Sequence, residues 1–342
     1  LPPPFSFFQS FADSNFAKQG FSHMINIRTN PDTTSSDVYK QRGWKRSDPI
    51  PEYIYDIHRS LVEEEIITHP EIIKCSKEFI RKLEPDLPKP NKPRRLKRCH
   101  YANRCPICNY LRKEYVHMKS SPFRQRLLDN GGRNLLLTFT LRHLKTHRLV
   151  TSQKILVYSI KKLKESRPFS KELFPSKHRL YILTEYEISW SEENGYAPHC
   201  HLQVGTTNPM STDEMQSILV SEWRRIVGKV SSKSFIPSYA HGVDVSNNPS
   251  GKHSQDKDID ELRSMEAMHK RTAKQTRERL RKKGSFSQIQ MQYYVTEKKT
   301  TANKFLAALK EIYKNTRRSF RALFFNTNSH HPLFSQVTPQ SK

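Results

Sequence analysis

Two histidines separated by a single residue, His199 and His201, lie in a segment that the sequence predicts to be a β-strand. Side chains at positions i and i+2 of a strand point to the same face, so both imidazoles can reach one divalent cation. Cys200, between them, then points to the opposite face. The chain contains 15 histidines, so a chance pairing is the competing explanation. The spacing by itself is that of a metal-binding pair.

Two acids on the preceding predicted strand, Glu185 and Glu187, can supply a further ligand. Imidazole and carboxylate ligands with open coordination positions suit Mg²⁺ or Mn²⁺ acting as a Lewis acid. Both glutamates can equally be solvent-facing members of an edge strand. His241 and Asp244, in a later polar and strand-like patch, either support the site from behind or have no part in it.

A candidate nucleophile lies further along the chain, where the segment 287–299 contains Tyr293 and Tyr294. If this segment is helical, Tyr294 and Lys298 lie one turn apart on the same face. That arrangement suits a phenolate attacking phosphorus beside an ammonium group. Tyrosine has a usual pKa of about 10, so a metal-polarised phosphate and a cationic neighbour would both help it to react at neutral pH. The alternative is that both tyrosines are packing aromatics of an ordinary helix.

Clustered cysteines predict a second, separate metal site. Cys105 and Cys108 have the spacing of a zinc knuckle, and Cys99 adds a third thiolate. Cys75 is the expected fourth ligand, with His100 as the alternative. Four thiolates would close a structural Zn²⁺ site and leave no open position for catalysis.

The net charge of +26, from 59 Lys and Arg against 33 Asp and Glu, predicts a polyanionic partner. Nucleic acid is favoured over an acidic membrane surface, because no apolar run reaches spanning length. Two basic stretches, 89–98 and 263–283, would contact phosphates without reading sequence. The residues expected to make these contacts are Arg94, Arg95, Lys97, Arg98, Arg277, Arg279 and Arg281. No Gly-x-x-x-x-Gly-Lys-Ser/Thr loop is present, so we expect no use of ATP. The clustered cysteines and the lack of a secretory signal favour the cytoplasm.

Hydrophobic periodicity predicts an α+β fold, with an antiparallel sheet and helices packed on one of its faces. The predicted strands are 135–141, 181–190 and 196–204, the last two joined by a turn at 193–195. The predicted helices are 109–128, 151–166 and 212–226, preceded by helical pieces between 51 and 83.

Four blocks of this chain, in the same order, resemble the HUH endonucleases, specifically the rolling-circle replication initiators of small bacterial plasmids. They are the cysteine segment, the Thr-rich strand 136–141, the histidine segment 195–204 and the tyrosine segment 290–298, so the resemblance covers roughly residues 70–300. The histidine segment is similar to the family's Gly-Trp-His-Pro-His-x-His-x-Leu motif. It departs from that motif at Tyr196, where the family has Trp, and at Ala197, where an additional His is common.

The resemblance implies site-specific nicking and rejoining of one DNA strand at a plasmid origin. Tyr294, or Tyr293 as the second choice, would form a 5′-phosphotyrosine link, and Glu187 would complete the catalytic metal site. Gln290 occupies the position where the nearest plasmid family has a Glu that ends replication, and an amide cannot act as a general base. The host would supply the helicase and the polymerase. A transposase of the same class and a non-catalytic zinc-containing DNA-binding protein are the alternatives.

The same resemblance, combined with composition, divides the chain into four regions. We expect a flexible leader at 1–50, a helical and Cys-rich zinc-binding region at 51–130, an HUH endonuclease domain at 131–320 and a disordered tail at 321–342.

Overall fold

The structure is a computed structural model, and it describes residues 50, 52–75, 98–101, 104–247, 285–296, 302–316 and 323–327. Seven α-helices lie in these ranges: α1 Glu52–Glu63, α2 Pro70–Ile73, α3 Pro106–Asp129, α4 Leu149–Glu165, α5 Thr212–Val230, α6 Gln288–Thr296 and α7 Ala302–Asn315. The strands in the same ranges are β1 Arg133–Thr140, β2 Arg179–Ser191, β3 Gly195–Thr206, β4 Val243–Asn247, β5 Phe286–Ser287 and β6 Leu323–Thr327.

The strands form one sheet in which every pairing is antiparallel, in the order β4-β1-β3-β2. Both β5 and β6 pair with the outer edge of β2, at different points along it. The predicted α+β class and antiparallel sheet are therefore confirmed. β1 is a central strand because apolar residues on both of its faces are buried, which suits a strand flanked on both sides.

Within the described residues the predicted helices and strands are all present, and their ends differ from the predicted ones by at most four residues. Helix α3 begins at Pro106, which has the fixed φ favoured at a first helical position, rather than at residue 109. It ends at the predicted stop, where Gly131 has a φ of +70°, a conformation that favours glycine. Ser211 and Glu214 cap α5 reciprocally, and this box fixes the point where the chain leaves β3 and turns into the helix.

Strand register assigns each side chain to one of two faces. Glu185 lies opposite His201 and Glu187 opposite His199, so these four side chains share one face, which we call the site face. Phe139 and Cys200 alternate with them and point to the other face, which we call the core face.

Helices cover both faces of the sheet, so the expectation of helices on one face is wrong. On the core face, the Trp223 ring of α5 packs 5.2 Å from Phe139, measured between centroids. On the site face, Leu127 of α3 packs against Tyr181, and Lys113 reaches Glu185. The physical reason is that the site face carries apolar side chains of its own, Leu136, Tyr181 and Leu183, and burying them needs a cover. The apolar residues of α3 are spread around the whole helix and do not form one apolar face. The sequence of α3 therefore does not show which side of the helix is buried.

Helix α3 covers only part of the site face, and the side chains beyond its edge remain partly exposed. Leu183 and Gln203, in the middle of the site face, are 2 % exposed. The Glu187, His199 and His201 side chains, nearer the Gly195 end of β3, are 15–23 % exposed. Side chains of α1 and of the cysteine segment belong to the same buried cluster as the core face of the sheet. The proposed domain limits remain predictions, and residues 1–49 and 328–342 lie outside the described residues.

Candidate metal centres and the tyrosine helix

Three side chains from two paired strands converge on one point of the site face. The Nε2 atoms of His199 and His201 lie 3.2 Å and 3.3 Å from the same carboxylate oxygen, Oε2 of Glu187. Register explains the convergence: Glu187 is directly opposite His199, and His201 is two residues further along the same face. The structure therefore unites these three predicted ligands, which we call the Glu-His-His triad.

Hydrogen bonds behind the triad orient both imidazoles. Nδ1 of His199 donates to the carbonyl oxygen of Ala197 at 3.0 Å. Nδ1 of His201 lies 3.0 Å from the Thr138 hydroxyl, which is opposite it on β1. A partner at Nδ1 holds the ring and directs Nε2 towards the shared point, which is how histidine ligands of metals are usually supported.

The electrostatics of the triad suit a cation at its centre. Burial works to raise the pKa of Glu187, but the hydrogen bonds from His199 and His201 hold it well below its usual range. Burial works to lower the pKa of His199, and the Glu187 carboxylate raises it overall. Glu187 is therefore ionised at neutral pH, and the carboxylate form is the one that binds a divalent cation.

One orphaned atom gives a further test of fit. Oε1 of Glu187 is buried and has no hydrogen-bond partner within the part of the chain that the structure describes. A buried acceptor without a partner is costly, and a cation bound at this point would satisfy it. The three donor atoms lie within 4.8 Å of one another, so one oxygen and two nitrogens fit a single divalent ion.

Glu185 has a different environment from Glu187. It is 2 % exposed, and its Oε1 lies 3.5 Å from Nζ of Lys113, whose side chain is 8 % exposed. The two glutamates are two residues apart on one face, yet the α3 helix covers only Glu185. Burial under α3 therefore distinguishes the carboxylate that joins the histidines from the one that forms a structural ion pair.

The four predicted zinc ligands also lie together. Cys75, Cys99, Cys105 and Cys108 have sulfur atoms within 4.8 Å of one another, and we call them the four-cysteine cluster. Sγ of Cys108 is 3.6 Å from Sγ of Cys75 and 3.6 Å from Sγ of Cys99. A tetrahedral zinc ion with bonds of about 2.3 Å separates its sulfur ligands by about 3.8 Å, so these four thiols can hold a metal such as zinc.

Local structure delivers each sulfur to the cluster. The α2 turn begins at Pro70, with His69 as its cap, and its end presents Cys75. Cys105 is the N-cap of α3, so the start of this helix fixes the position of its sulfur. His100, the alternative fourth ligand, is exposed and is not a member of the cluster.

The predicted nucleophile Tyr294 lies on α6 and is 8 % exposed. Its ring stacks on Phe305 of α7 at 5.5 Å and meets Phe286 edge-on at 6.1 Å, both measured between centroids. Phe286 is opposite Trp190, three residues from Glu187 on β2, so both rings point to the core face. Tyr294 thus packs with aromatic side chains that belong to the face opposite the triad. Tyr293, the second choice, is 2 % exposed.

Gln290 has a structural role that the family resemblance did not suggest. Its side-chain Oε1 accepts a hydrogen bond from the Ser287 backbone N–H at 2.9 Å. The Gln290 backbone N–H donates to the Ser287 hydroxyl at 3.4 Å. This reciprocal pair of hydrogen bonds is a capping box, and the Ser-x-x-Gln spacing in the sequence is typical of that motif. An amide is sufficient here, because capping needs an acceptor and not a base.

Several predicted residues are not described. Lys298, Arg94, Arg95, Lys97, Arg277, Arg279 and Arg281 lie outside the described residues, and Arg98 is half-buried beside Cys99. His241 contributes its backbone carbonyl, which accepts from the Thr140 hydroxyl. Asp244, on β4, is exposed and lies opposite Thr138 of β1. It is not a member of the triad.

Sequence reasoning gave no role to Thr138 or Lys113. Thr138 belongs to the Thr-rich strand, and its role depends on the pairing of that strand with the histidine strand, which places it opposite His201. The partner of Lys113 depends on which face α3 covers, and the sequence of α3 gives no indication of it. No helix within the described ranges is long and apolar enough to cross a membrane. Comparisons with protein-family models, with curated proteins and with solved structures each gave no match.

Proposed function

We propose that this protein nicks and rejoins one strand of DNA at a plasmid origin, as the resemblance to rolling-circle replication initiators implies. The observation that carries the proposal is the Glu-His-His triad. Three ligands converge on an accessible part of an antiparallel sheet, and one of them, Glu187, has a buried oxygen with no hydrogen-bond partner in the described ranges. Structural metal sites are usually closed by four protein ligands, whereas the triad supplies three, so a further coordination position would be open to a substrate oxygen.

Glu187, His199 and His201 would hold the catalytic ion. When bound, Mg²⁺ or Mn²⁺ supplies Lewis-acid polarisation of the scissile phosphate. Ala197 and Thr138 keep the two imidazoles oriented, so that the ligands need no rearrangement during the reaction.

In the chemical step, the tyrosine hydroxyl attacks phosphorus, the bond from phosphorus to the 3′ oxygen breaks, and the 3′-OH leaves with a proton. The energy of the broken phosphodiester is kept in the 5′-phosphotyrosine bond, so attack by a 3′-OH reverses the step without ATP. Tyr294 is our first choice of nucleophile and Tyr293 the second, with Lys298 as the neighbouring cation. Because the Tyr294 ring packs with Phe286 and Phe305, the proposal requires α6 or this side chain to move before attack.

The proposed zinc site rests on the four-cysteine cluster, and the proposed DNA partner rests on the net positive charge of the chain. The four-cysteine cluster would hold Zn²⁺, and its role would be structural because four thiolates complete the coordination. A net charge of +26 supports origin DNA as the partner. The host helicase and polymerase would act at the nicked origin in the cytoplasm.

A second candidate, a non-catalytic zinc-containing DNA-binding protein, is favoured by one observation. The burial and aromatic packing of Tyr294 are those of a core residue. In that case the triad would be a regulatory or structural metal site, and neither tyrosine would react.

Two matched variants, Tyr294→Phe and Tyr293→Phe, distinguish these candidates. Each is incubated with Mn²⁺ and either supercoiled plasmid or candidate single-stranded origin oligonucleotides, and products are followed by electrophoresis and peptide mass spectrometry. We expect Tyr294→Phe to abolish both cleavage and the DNA-tyrosyl peptide while binding persists, and Tyr293→Phe to retain both.

Other outcomes contradict specific parts of the proposal. If cleavage is lost with Tyr293→Phe and not with Tyr294→Phe, the assigned nucleophile is wrong. If the unaltered protein cleaves no substrate with either Mg²⁺ or Mn²⁺, the non-catalytic candidate is supported. Glu187→Gln should weaken Mn²⁺ binding measured by calorimetry, and unchanged Mn²⁺ affinity would exclude the triad as the metal site.

A further inference from the structure

The loop that joins β1 to α4, residues 141–148, has a strongly basic sequence. Its side chains include Arg142, His143, Lys145, His147 and Arg148, and it contains no acid. Arg142, Lys145 and Arg148 are exposed. We call this segment the basic loop.

The basic loop lies at the same end of the sheet as the triad. It begins directly after Thr140, which is opposite His199. A Cβ atom built on Gly195, the first residue of β3, would lie 3.1 Å from the Cα of Lys145, so the loop also touches the start of the histidine strand. Glu192 is close to this end; it is bound to Lys304 at 2.6 Å and also interacts electrostatically with Lys145. The positive charge of the loop therefore faces solvent beside the metal ligands.

A second segment, residues 235–242, lies against the basic loop. The Arg142 backbone N–H donates to the Phe235 carbonyl at 3.0 Å, and the His147 ring stacks on the Phe235 ring at 4.0 Å between centroids. His241 is attached to β1 through the hydroxyl of Thr140. Both segments are thus fixed to the strand end that carries the site.

Tyr239, in this second segment, is the most exposed large apolar or aromatic residue of the described chain, at 67 %. The guanidinium of Arg224 lies 3.9 Å from its ring centroid, which is a cation–π contact. Arg224 also donates to the Pro237 carbonyl, so its position is fixed. The ring is held by Arg224 on one side and open to solvent on the other. It lies two residues from His241, a Cα separation of at most about 7 Å.

An exposed, positioned aromatic ring beside a basic loop fits a single-stranded polynucleotide better than a duplex. Every base has a flat face that can stack on a tyrosine, whereas the bases of a duplex are already stacked on one another. Lysine and arginine side chains contact the phosphates of either form. The aromatic ring is therefore the feature that selects for a single strand.

We propose that the basic loop and Tyr239 form a binding surface for single-stranded DNA that leads the strand to the triad. Arg142, Lys145 and Arg148 contact phosphates, and a base stacks on the open face of Tyr239. The role in leading a strand to the metal site rests on the proposed function, whereas the binding itself does not.

Binding is measured by fluorescence anisotropy with a labelled thymidine oligomer, in the Tyr294→Phe background and without added Mg²⁺ or Mn²⁺, so that no cleavage contributes. No chelator is used, which keeps the four-cysteine cluster as purified. The test variant is Arg142→Glu/Lys145→Glu. The control is Lys171→Glu/Lys177→Glu, which makes the same change of charge at exposed positions near the opposite end of the sheet.

We expect the test pair to weaken binding about tenfold or more and to reduce the salt slope by about 1.4, the value for two lost phosphate contacts on a single strand. The control pair should weaken binding much less and leave the slope nearly unchanged. Tyr239→Ala should weaken binding about five- to a hundredfold, as loss of one stacked base does, and Tyr239→Phe should retain most of the affinity. All four variants alter exposed side chains, and unchanged thermal unfolding verifies that each one is folded.

Equal losses from the two charge pairs would overturn the proposal, because they would indicate general attraction to a basic protein. Equal losses from Tyr239→Phe and Tyr239→Ala would also overturn it. If a duplex or an RNA oligomer binds as tightly as the DNA single strand and responds identically to the variants, the surface is not a single-stranded DNA site. If the unaltered protein fails to nick but the expected binding pattern appears, the proposed function fails and this inference stands. If the unaltered protein nicks DNA but the expected binding pattern is absent, the proposed function stands and this inference fails.

Discussion

Replacing Lys113 by Met should destabilise the protein strongly, because it removes the ammonium group that lies beside the buried Glu185 carboxylate. The two side chains are 8 % and 2 % exposed, and the charged atoms are 3.5 Å apart. At that distance and an effective dielectric constant of about 20, the attraction is about 5 kcal/mol, most of which offsets the cost of desolvating both groups. Removal of one partner of a buried pair costs about 3–5 kcal/mol.

The double variant Lys113→Met/Glu185→Met is the control, because it removes both charges and keeps the site filled. Replacement of a whole buried ion pair by apolar residues is often neutral, so the double variant should be more stable than Lys113→Met alone. Neither residue belongs to the triad, and the double variant should therefore keep its Mn²⁺ affinity.

Thermal unfolding followed by circular dichroism measures the effect. Domains of this size lose roughly 2–4 °C for each kcal/mol, so Lys113→Met should melt roughly 10 °C below the unaltered protein. A loss below about 1 kcal/mol, the level of an exposed ion pair, would refute the burial of this pair under α3. A double variant that is as unstable as the sum of the two single variants would show that the residues do not interact.

Three further outcomes are expected. The Cys108→Ser variant should purify without stoichiometric zinc and melt at a lower temperature than the unaltered protein. The control Cys200→Ala, which alters a buried thiol outside the four-cysteine cluster, should keep its zinc. Equal zinc content in the two variants, measured by elemental analysis, would contradict this prediction. Burial lowers the pKa of Lys164 from its usual 10.5 to about 8, a shift that corresponds to about 3 kcal/mol. The unfolded chain then binds the extra proton between pH 8 and 10.5, so stability should rise with pH across that window and Lys164→Met should abolish the rise in urea titrations. Gly205→Ala should cost about 1–3 kcal/mol, because the new Cβ would lie 2.4 Å from the Tyr181 ring, and an unchanged melting temperature would show that the ring moves freely.

The sequence predicted the parts of the site that depend on spacing along one strand or one helix. The i and i+2 positions of His199 and His201 determine their common face, because side chains alternate along any β-strand. The Cys105 and Cys108 pair likewise follows from local spacing, and the antiparallel β2–β3 hairpin from the short turn between its strands.

Other features depend on packing between distant segments. In the sequence, Glu185 and Glu187 are two candidate ligands on the same face of one strand. Their roles differ only because α3 covers Glu185, which pairs with Lys113, and leaves Glu187 beside the histidines. Cys75 is 24 residues before Cys99, and its place in the four-cysteine cluster depends on how the end of the α2 segment packs against Cys108 at the start of α3.

The tyrosine helix shows the same division. A helix over residues 288–296 was only a condition of the sequence interpretation, although the Ser287-x-x-Gln290 spacing that caps it depends on neighbours within one turn. Which neighbours surround Tyr294 was decided only by the tertiary structure, where Phe286 from a strand and Phe305 from another helix enclose its ring. Local hydrogen bonds and side-chain alternation are properties of a few adjacent residues, whereas the cover over each face of a sheet depends on the packing of the whole chain.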